Sequence, residues 1–562
     1  MRGIICLMLL PDFNPEQFKT QEEFRQGIMA LLNVVSNLQQ EIVELKAENQ
    51  RLRDENNRLK GEQGKPDVKA NKTTSTDHSS EKERTKQPKP KSKRKKRRPH
   101  REVKIDREET LLVPKDQLPE DAVRKGYEEV IVQDVILKTD NVLYRKEKWY
   151  SPSEKRTYTA QLPKGCQGQF GPMVKTLVLT LYYSARMSEP KIIELVEQIG
   201  VNLSEGTVSN WLSRETEKWG NEADEILKAG LGSGSFHHID DTGTRVDGVN
   251  HYCHILCNPF YTAYATRRYK NRLTVISVLQ NSEESVYLYN EESDKWLATF
   301  ELPKWAQNIV AEWPRERLLK ENEMSELLAG SLSERLNDQQ LARIREAGAL
   351  AAYQAQDEYP VIPILVSDDA PQFRHLAQKQ MLCWVHEGRH YKKLTPHVAY
   401  HRQVLDQFQS EFWTYYHDLN EYRQNPTAKK AESLEKRFDE IFGQQTDYEQ
   451  LNARLAQTMA RKDKLLVVLK ESMVPLHNNP AELGARQRVR KRDVSFGPRS
   501  ESGRVAWDVF MTVAETAKKL SVNFYDYVYD RVAEAYDMPA LADVIRSRSL
   551  SELAISSLSP KI

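Results

Sequence analysis

Cysteine is scarce. Five residues in a chain of 562 (Cys6, Cys166, Cys253, Cys257 and Cys383) are too few for a disulfide scaffold, which predicts reduced thiols and an intracellular, cytoplasmic protein. Long apolar runs are missing too. No stretch reaches the ~18–20 residues of a membrane span, so no membrane partner is expected. The opening MRGIICLMLLPDF is stopped at Pro11 and Asp12 and has no small-x-small cleavage site. There is also almost no net charge, because 83 Lys and Arg against 81 Asp and Glu leave +2. That excludes binding of polyanions by uniform charge, so any nucleic-acid site must come from local clusters. At 39% hydrophobic and 29% charged, the chain has room for a real core as well as solvated segments. Its length allows roughly three or four folded units.

What is present begins with heptads. Leu31, Leu38, Leu45, Leu52 and Leu59 recur every seven residues, with Phe24 ahead of them and Ile28, Val35, Ile42, Asn49 and Asn56 on the second seam position. This pattern predicts a parallel two-stranded coiled coil over 24–60, after an N-terminal segment 1–23, and hence a homodimer or higher homo-oligomer. The alternative is a single long surface helix. Residues 61–104 read as a basic linker, held extended by Pro88, Pro90 and Pro99. It contains the unbroken hexamer Lys93, Arg94, Lys95, Lys96, Arg97 and Arg98. Phosphates would neutralise that run with a salt-sensitive, sequence-independent affinity.

Alternating apolar and polar residues over 105–165, such as EEVIVQDVILKTDNVLYRKEKWYSP and RTYTAQLP, predict two or three short antiparallel strands. No cysteine pair lies there to form a zinc ribbon. Residues 166–230 read as helices. SEPKIIELVEQIG, a short turn and a segment opening at Ser204 match a helix-turn-helix whose second helix presents Asn210 and Arg214. Ordinary helical bundles give the same pattern.

From 231 the period changes to a meander: SFHHIDDTGTRV, HYCHILCNP and FYTAYATRR. Its first strand is expected to end at Asp240 and Asp241. A polar helical stretch over 281–358 precedes PVIPILVS, a run apolar enough for a buried parallel strand, which ends in Asp368 and Asp369. A second helical insertion spans 398–472. LHNNPAELGARQRVRK then opens a basic helix carrying Glu482, Arg486, Arg488, Arg490 and Lys491, and VFMTVAETAKKL reads as a packing helix holding Glu515. Three acids from separated elements suit hard divalent cations, and a metal pair ~3.5–4 Å apart suits phosphodiester chemistry. Asp at strand ends also simply stabilises turns. Cys383 and His386 resemble a metal pair, but two ligands make no site. His251, Cys253, His254 and Cys257 read as sheet residues, since Cys253 and Cys257 on one strand face lie ~13 Å apart.

Several blocks resemble the insertion-sequence-66 transposases. HIDDTGTRV resembles that family's first-acid strand, and VSDDAPQFRHLAQKQMLCWVHEGRHYKKL its second-acid segment. LHNNPAELGARQRVRK resembles its Asn-Asn-x-x-Glu block, and GRVAWDVFMTVAETAKKLSVNFYDY its closing helix. The resemblance covers most of residues 25–535. It implies an α/β, RNase H-like catalytic domain over 231–535 with helical insertions, preceded by the coiled coil and a helical DNA-binding region and followed by a tail, 536–562. It implies a DDE transposase that cuts and joins DNA, with Asp240, Asp368 and Glu482 holding two magnesium ions. Glu515 is the rival third acid. It further implies that His386 reaches DNA or the active site and forms a basic face with Arg389. With Arg486, Arg490 and Lys491, these complete the expected DNA-binding set. A nucleoid-associated bacterial protein follows. The family's Cys-x-x-Cys pairs are missing from 105–165, so zinc is not expected. Asp241 replaces a Glu, and 128 residues separate the first two acids, which implies an insertion. A non-catalytic DNA-binding regulator, a decayed copy and a nuclease without strand transfer remain the competing classes.

Overall fold

The computed structural model describes residues 20–59, 105–113, 126–166, 168–214 and 216–558. The hexamer Lys93, Arg94, Lys95, Lys96, Arg97 and Arg98 lies outside the described residues, as do the rest of the linker 61–104 and the first 19 residues.

The heptad region is one continuous helix, α1 (Gln21–Leu59). The alternating run from Glu128 to Leu143 forms no strand. It is exposed throughout except for one half-buried residue, and Val132 and Ile136 are over 80% exposed. Alternation alone forms no strand where no partner buries its apolar face. The strands of this region are β1 (Lys148–Ser151) and β2 (Arg156–Thr159), a short antiparallel hairpin. Beyond it, α2 (Glu189–Gln198) and α3 (Glu205–Ser213) flank a turn, and Ser204 caps α3 by accepting from the Thr207 amide at 3.2 Å. The helix that opens at Ser204 ends at Ser213, and a new helix runs Thr216–Leu231.

The centre is a mixed five-stranded sheet in an α/β framework. It contains β3 (Phe236–Val246), β4 (Val249–Cys257) and β5 (Thr262–Arg267), then β8 (Ile364–Ser367) and β9 (Lys379–Leu382), in the order β5-β4-β3-β8-β9. β4 is antiparallel to β3 and β5, whereas β8 and β9 run parallel to β3. The Asp368 strand is thus parallel and fully buried, as its apolar run predicts.

The two insertions differ from each other. Residues 281–358 form several helices around a two-stranded ribbon, β6 (Tyr287–Leu288) and β7 (Leu318–Leu319). Their Tyr287, Tyr289, Trp313 and Leu350 join the main core, so this segment is built into the domain. Residues 399–470 are helical, as expected, and pack a second core of Phe408, Phe412, Tyr415, Phe438 and Phe442 around Trp384. Trp384 opens α4 (Trp384–Lys392), which directly follows β9.

Two helices close the domain, α5 (Asn479–Ser495) and α6 (Glu501–Lys519). Helix α6 covers the exposed edge of β5 with side chains at four-residue spacing. The amides of Thr262, Tyr264 and Thr266 donate to Thr516 Oγ1 (3.1 Å), Thr512 Oγ1 (3.0 Å) and Asp508 Oδ2 (2.6 Å). A sheet edge capped in this way is closed to further strand pairing. Among the described residues no helix is long and apolar enough to cross a membrane.

Candidate active site

Asp240 does not end β3, which runs on to Val246. It lies where β3 outruns its parallel neighbour. Phe236, His237 and His238 pair with Ile364, Leu365 and Val366, a constant offset of 128. The separation 368 − 240 is also 128, so Asp368, one residue past the end of β8, lies on the continuation of that register toward Asp240, whose carboxyl feels its charge. The helical segment 281–358 accounts for the length of that offset and leaves the pairing of the two strands intact.

The third carboxylate arrives by helix. Asn478, just before α5, donates from Nδ2 to the Ile239 carbonyl (2.7 Å), and its Oδ1 meets His238 Nδ1 (3.1 Å). These bonds pin the start of α5 to β3 on both residues preceding Asp240. Gly484 lets the helix descend onto the sheet, because a Cβ there would stand 2.7 Å from Ile255 Cγ2. Ile255 is the partner of Asp240 in the β3–β4 ladder. Glu482, on the first turn of α5 and buried, is thereby delivered to the acids.

The electrostatics agree with this placement. Burial, and then repulsion from Asp368, Asp241 and Glu482, pushes the Asp240 carboxyl up to about 8. Burial also raises Asp368, with Asp241 and Asp369 adding to it and Lys270 opposing. The adjacent acids have other partners. Asp369 is held by Arg461 (2.7 Å) and Arg374 (3.1 Å), and Asp241 Oδ2 accepts from Gln372 (2.8 Å). Glu515 lies on α6 near Arg186 (4.0 Å) and Lys518 (3.7 Å).

His386 and Arg389 both turn toward Glu482, at 3.7 Å and 3.6 Å, and Arg389 also meets His386 Nε2 at 3.2 Å. Burial, with Arg389 nearby, lowers the His386 imidazole to about 4. Of the expected DNA contacts, Asn210, Arg214 and Arg490 are exposed and Arg486 is half-buried. Lys491 is a correction. It is 1% exposed, it donates to the Tyr182 carbonyl (2.7 Å), and its Nζ lies over the Tyr182 ring. The helix face that sets Arg490 in solvent turns the next residue into the core. Arg488 is likewise internal, 3.4 Å from Asp508 and stacked on Trp507.

The sequence reading missed Asn478, His238 and Gly484. Asn478 and Gly484 lie inside the quoted LHNNPAELG block, but nothing in a linear pattern shows that a helix start must be bonded to a strand 240 residues earlier.

A model of the family described as "Transposase IS66 family" matches residues 339–506. The "Uncharacterized protein y4jO" of Sinorhizobium fredii (strain NBRC 101917 / NGR234) is 32% identical over 307 residues, 55% of this chain and 94% of that protein. The chain belongs to the IS66 transposase family. The segment matched by the IS66 model contains Asp368, His386, Arg389 and Glu482, and it ends before Glu515.

Proposed function

We infer that this chain is a DNA transposase that cleaves the ends of its element and joins the freed 3′-hydroxyl to target DNA. Asp240, Asp368 and Glu482 are the catalytic acids in this reading. The observation that carries it is that Asp240 on β3 is buried within reach of the charges of Asp368, which follows β8, and Glu482 on α5, so that burial first and these acids second raise its carboxyl. Such a donor set, all oxygen, fits magnesium. Two such ions, when bound, would activate the attacking oxygen and stabilise the leaving one. The protein's part is positioning. Strand register fixes two acids, and the Asn478 clamp fixes the third. The strand order, with only the second strand antiparallel, supports an RNase H-like domain.

DNA is the expected partner, through the basic hexamer, Asn210 and Arg214 on the helix-turn-helix, Arg389 beside Glu482, and Arg486 and Arg490 further along α5. The coiled coil pairs protomers so that two element ends are held together. The test uses the purified full chain, element-end DNA and magnesium. Asp240→Asn and Asp368→Asn each reduce cleavage by at least ~100-fold, the scale for losing a preorganised electrostatic group, while DNA binding persists. Wild-type rates in both variants would refute the assignment. Binding without nicking by the unmodified protein, with any divalent metal, supports a non-catalytic regulator instead.

A further inference from the structure

Cys383 and His386 are two soft ligands, and the fold supplies a third. Cys383 Sγ, a ring nitrogen of His386 and a carboxylate oxygen of Glu482 all lie within 4.8 Å of one another. Cys383 occupies the cap position of α4, and His386 follows on its first turn, so the Cys-x-x-His spacing sets both on one side of the helix start. Glu482 comes from the first turn of α5. The Asn478 amide donates to Cys383 Sγ at 3.2 Å, which ties the sulfur to the segment carrying Glu482. Ligand atoms on a tetrahedron with bonds of ~2.0–2.3 Å stand ~3.3–3.8 Å apart, so a closure of about 1 Å completes the site. His386 keeps 30% of its side chain exposed, which leaves an entry path and room for a water as fourth ligand.

We propose that Cys383, His386 and Glu482 bind a borderline-soft divalent cation of the zinc class, and that its binding inhibits DNA cleavage by drawing Glu482 away from Asp240 and Asp368. Cys383 binds as the thiolate, so its proton passes to solvent as the metal–sulfur bond forms. Magnesium does not compete for a sulfur–nitrogen site, because it prefers oxygen ligands. The two ions compete for one carboxylate only. Arg389 sits by Glu482 Oε2, whereas Oε1 faces His386. The inhibitory half rests on the transposase reading, and the binding half does not.

The experiment titrates metal-free full-length protein with cobalt(II), a spectroscopic substitute for zinc. One equivalent gives a thiolate-to-cobalt charge-transfer band that zinc displaces. Cys383→Ser, which retains an acceptor for the Asn478 amide, loses it. In excess magnesium, one equivalent of zinc lowers wild-type cleavage at least tenfold and that of Cys383→Ser less than twofold. No band in the wild type overturns the site, and so does an unchanged band in Cys383→Ser, whose source would then be among the other four cysteines. Should Cys383→Ser not fold, His386→Ala weakens cobalt binding at least tenfold, and unchanged binding there overturns the site. Equal zinc inhibition of both proteins overturns the regulatory half. A band without cleavage under any metal keeps the site and removes the transposase reading; cleavage without a band does the reverse.

Discussion

Single residues in this chain carry charges in places that oppose them, and each such conflict has a measurable pH signature. Asp240 titrates near 8 in the fold and near 3.9 in an unfolded chain. Its folded value is raised, so its contribution to stability is complete below about 4 and is lost as pH rises toward 8. Without metal, Asp240→Asn therefore raises Tm, more at pH 8 than at pH 5, in thermal melts of the full chain. Magnesium requires the ionised acid, so its affinity for the unmodified protein rises with pH up to about 8. A Tm gain that is flat with pH would count against the burial of this carboxylate among like charges. Lys491 shows the opposite sign. Burial lowers it to about 6, so the stability linked to it is present above its unfolded value and lost as pH falls toward 6. Lys491→Met gains stability relative to wild type as the pH drops, and its DNA affinity stays within about twofold. Arg490→Ala, one position away, instead reduces the slope of log affinity on log salt by about 0.9, one phosphate contact. An equal loss of DNA affinity in both would restore Lys491 to the binding surface.

At the scale of elements, the placement of the proposed catalytic acids depends on how one helix lies on one strand. Gly484→Ala places a methyl 2.7 Å from the stiff, branched side chain of Ile255. Helix α5 must lift, at a cost of about 1–3 kcal/mol. Glu482 stands two residues from the contact, so cleavage falls by at least tenfold while DNA binding holds, as read by paired melting, cleavage and gel-shift measurements. Full activity in a folded Gly484→Ala protein would show that the approach of α5 does not position Glu482. Much of this layer was legible beforehand. The three meander strands follow their alternation, the strand before Asp368 follows its continuous apolar run, and the helix carrying Glu482 follows its basic block, although the first meander strand runs past Asp240 to Val246. The exposed run at 128–143 was misread because alternation says only which faces differ, and not whether any partner exists to bury one. Lys491 was misread because a cation in a basic helix carries no mark of which side it faces. The strand register and the Asn478 bonds were invisible because they join residues over a hundred positions apart.

For the whole molecule, the question is how one chain would hold two DNA ends, and α1 supplies the argument. Its docked face uses residues outside the heptad seam. Arg25 pairs with Asp447 (2.9 Å), Asn33 donates to the Asp447 carbonyl (3.0 Å), and Gln450 donates to Asn37 (3.0 Å) and Gln40 (2.8 Å). Ile28, Val35, Leu38, Ile42, Leu45 and Leu52 stay exposed. One helix face thus fixes α1 to its own body while the seam remains turned outward, as a parallel pairing with a second copy requires. Because Val35 and Leu38 are exposed on the protomer, Val35→Glu with Leu38→Glu separates dimers into monomers at micromolar concentration, by light scattering, with little change in monomer Tm. Cutting a single element end survives in that variant. Joining of paired ends falls at least tenfold, since two protomers no longer hold both ends. A wild-type protein that is monomeric at micromolar concentration, or a double variant that stays dimeric, would remove the seam from the assembly and leave pairing of the ends to the DNA-bound bodies.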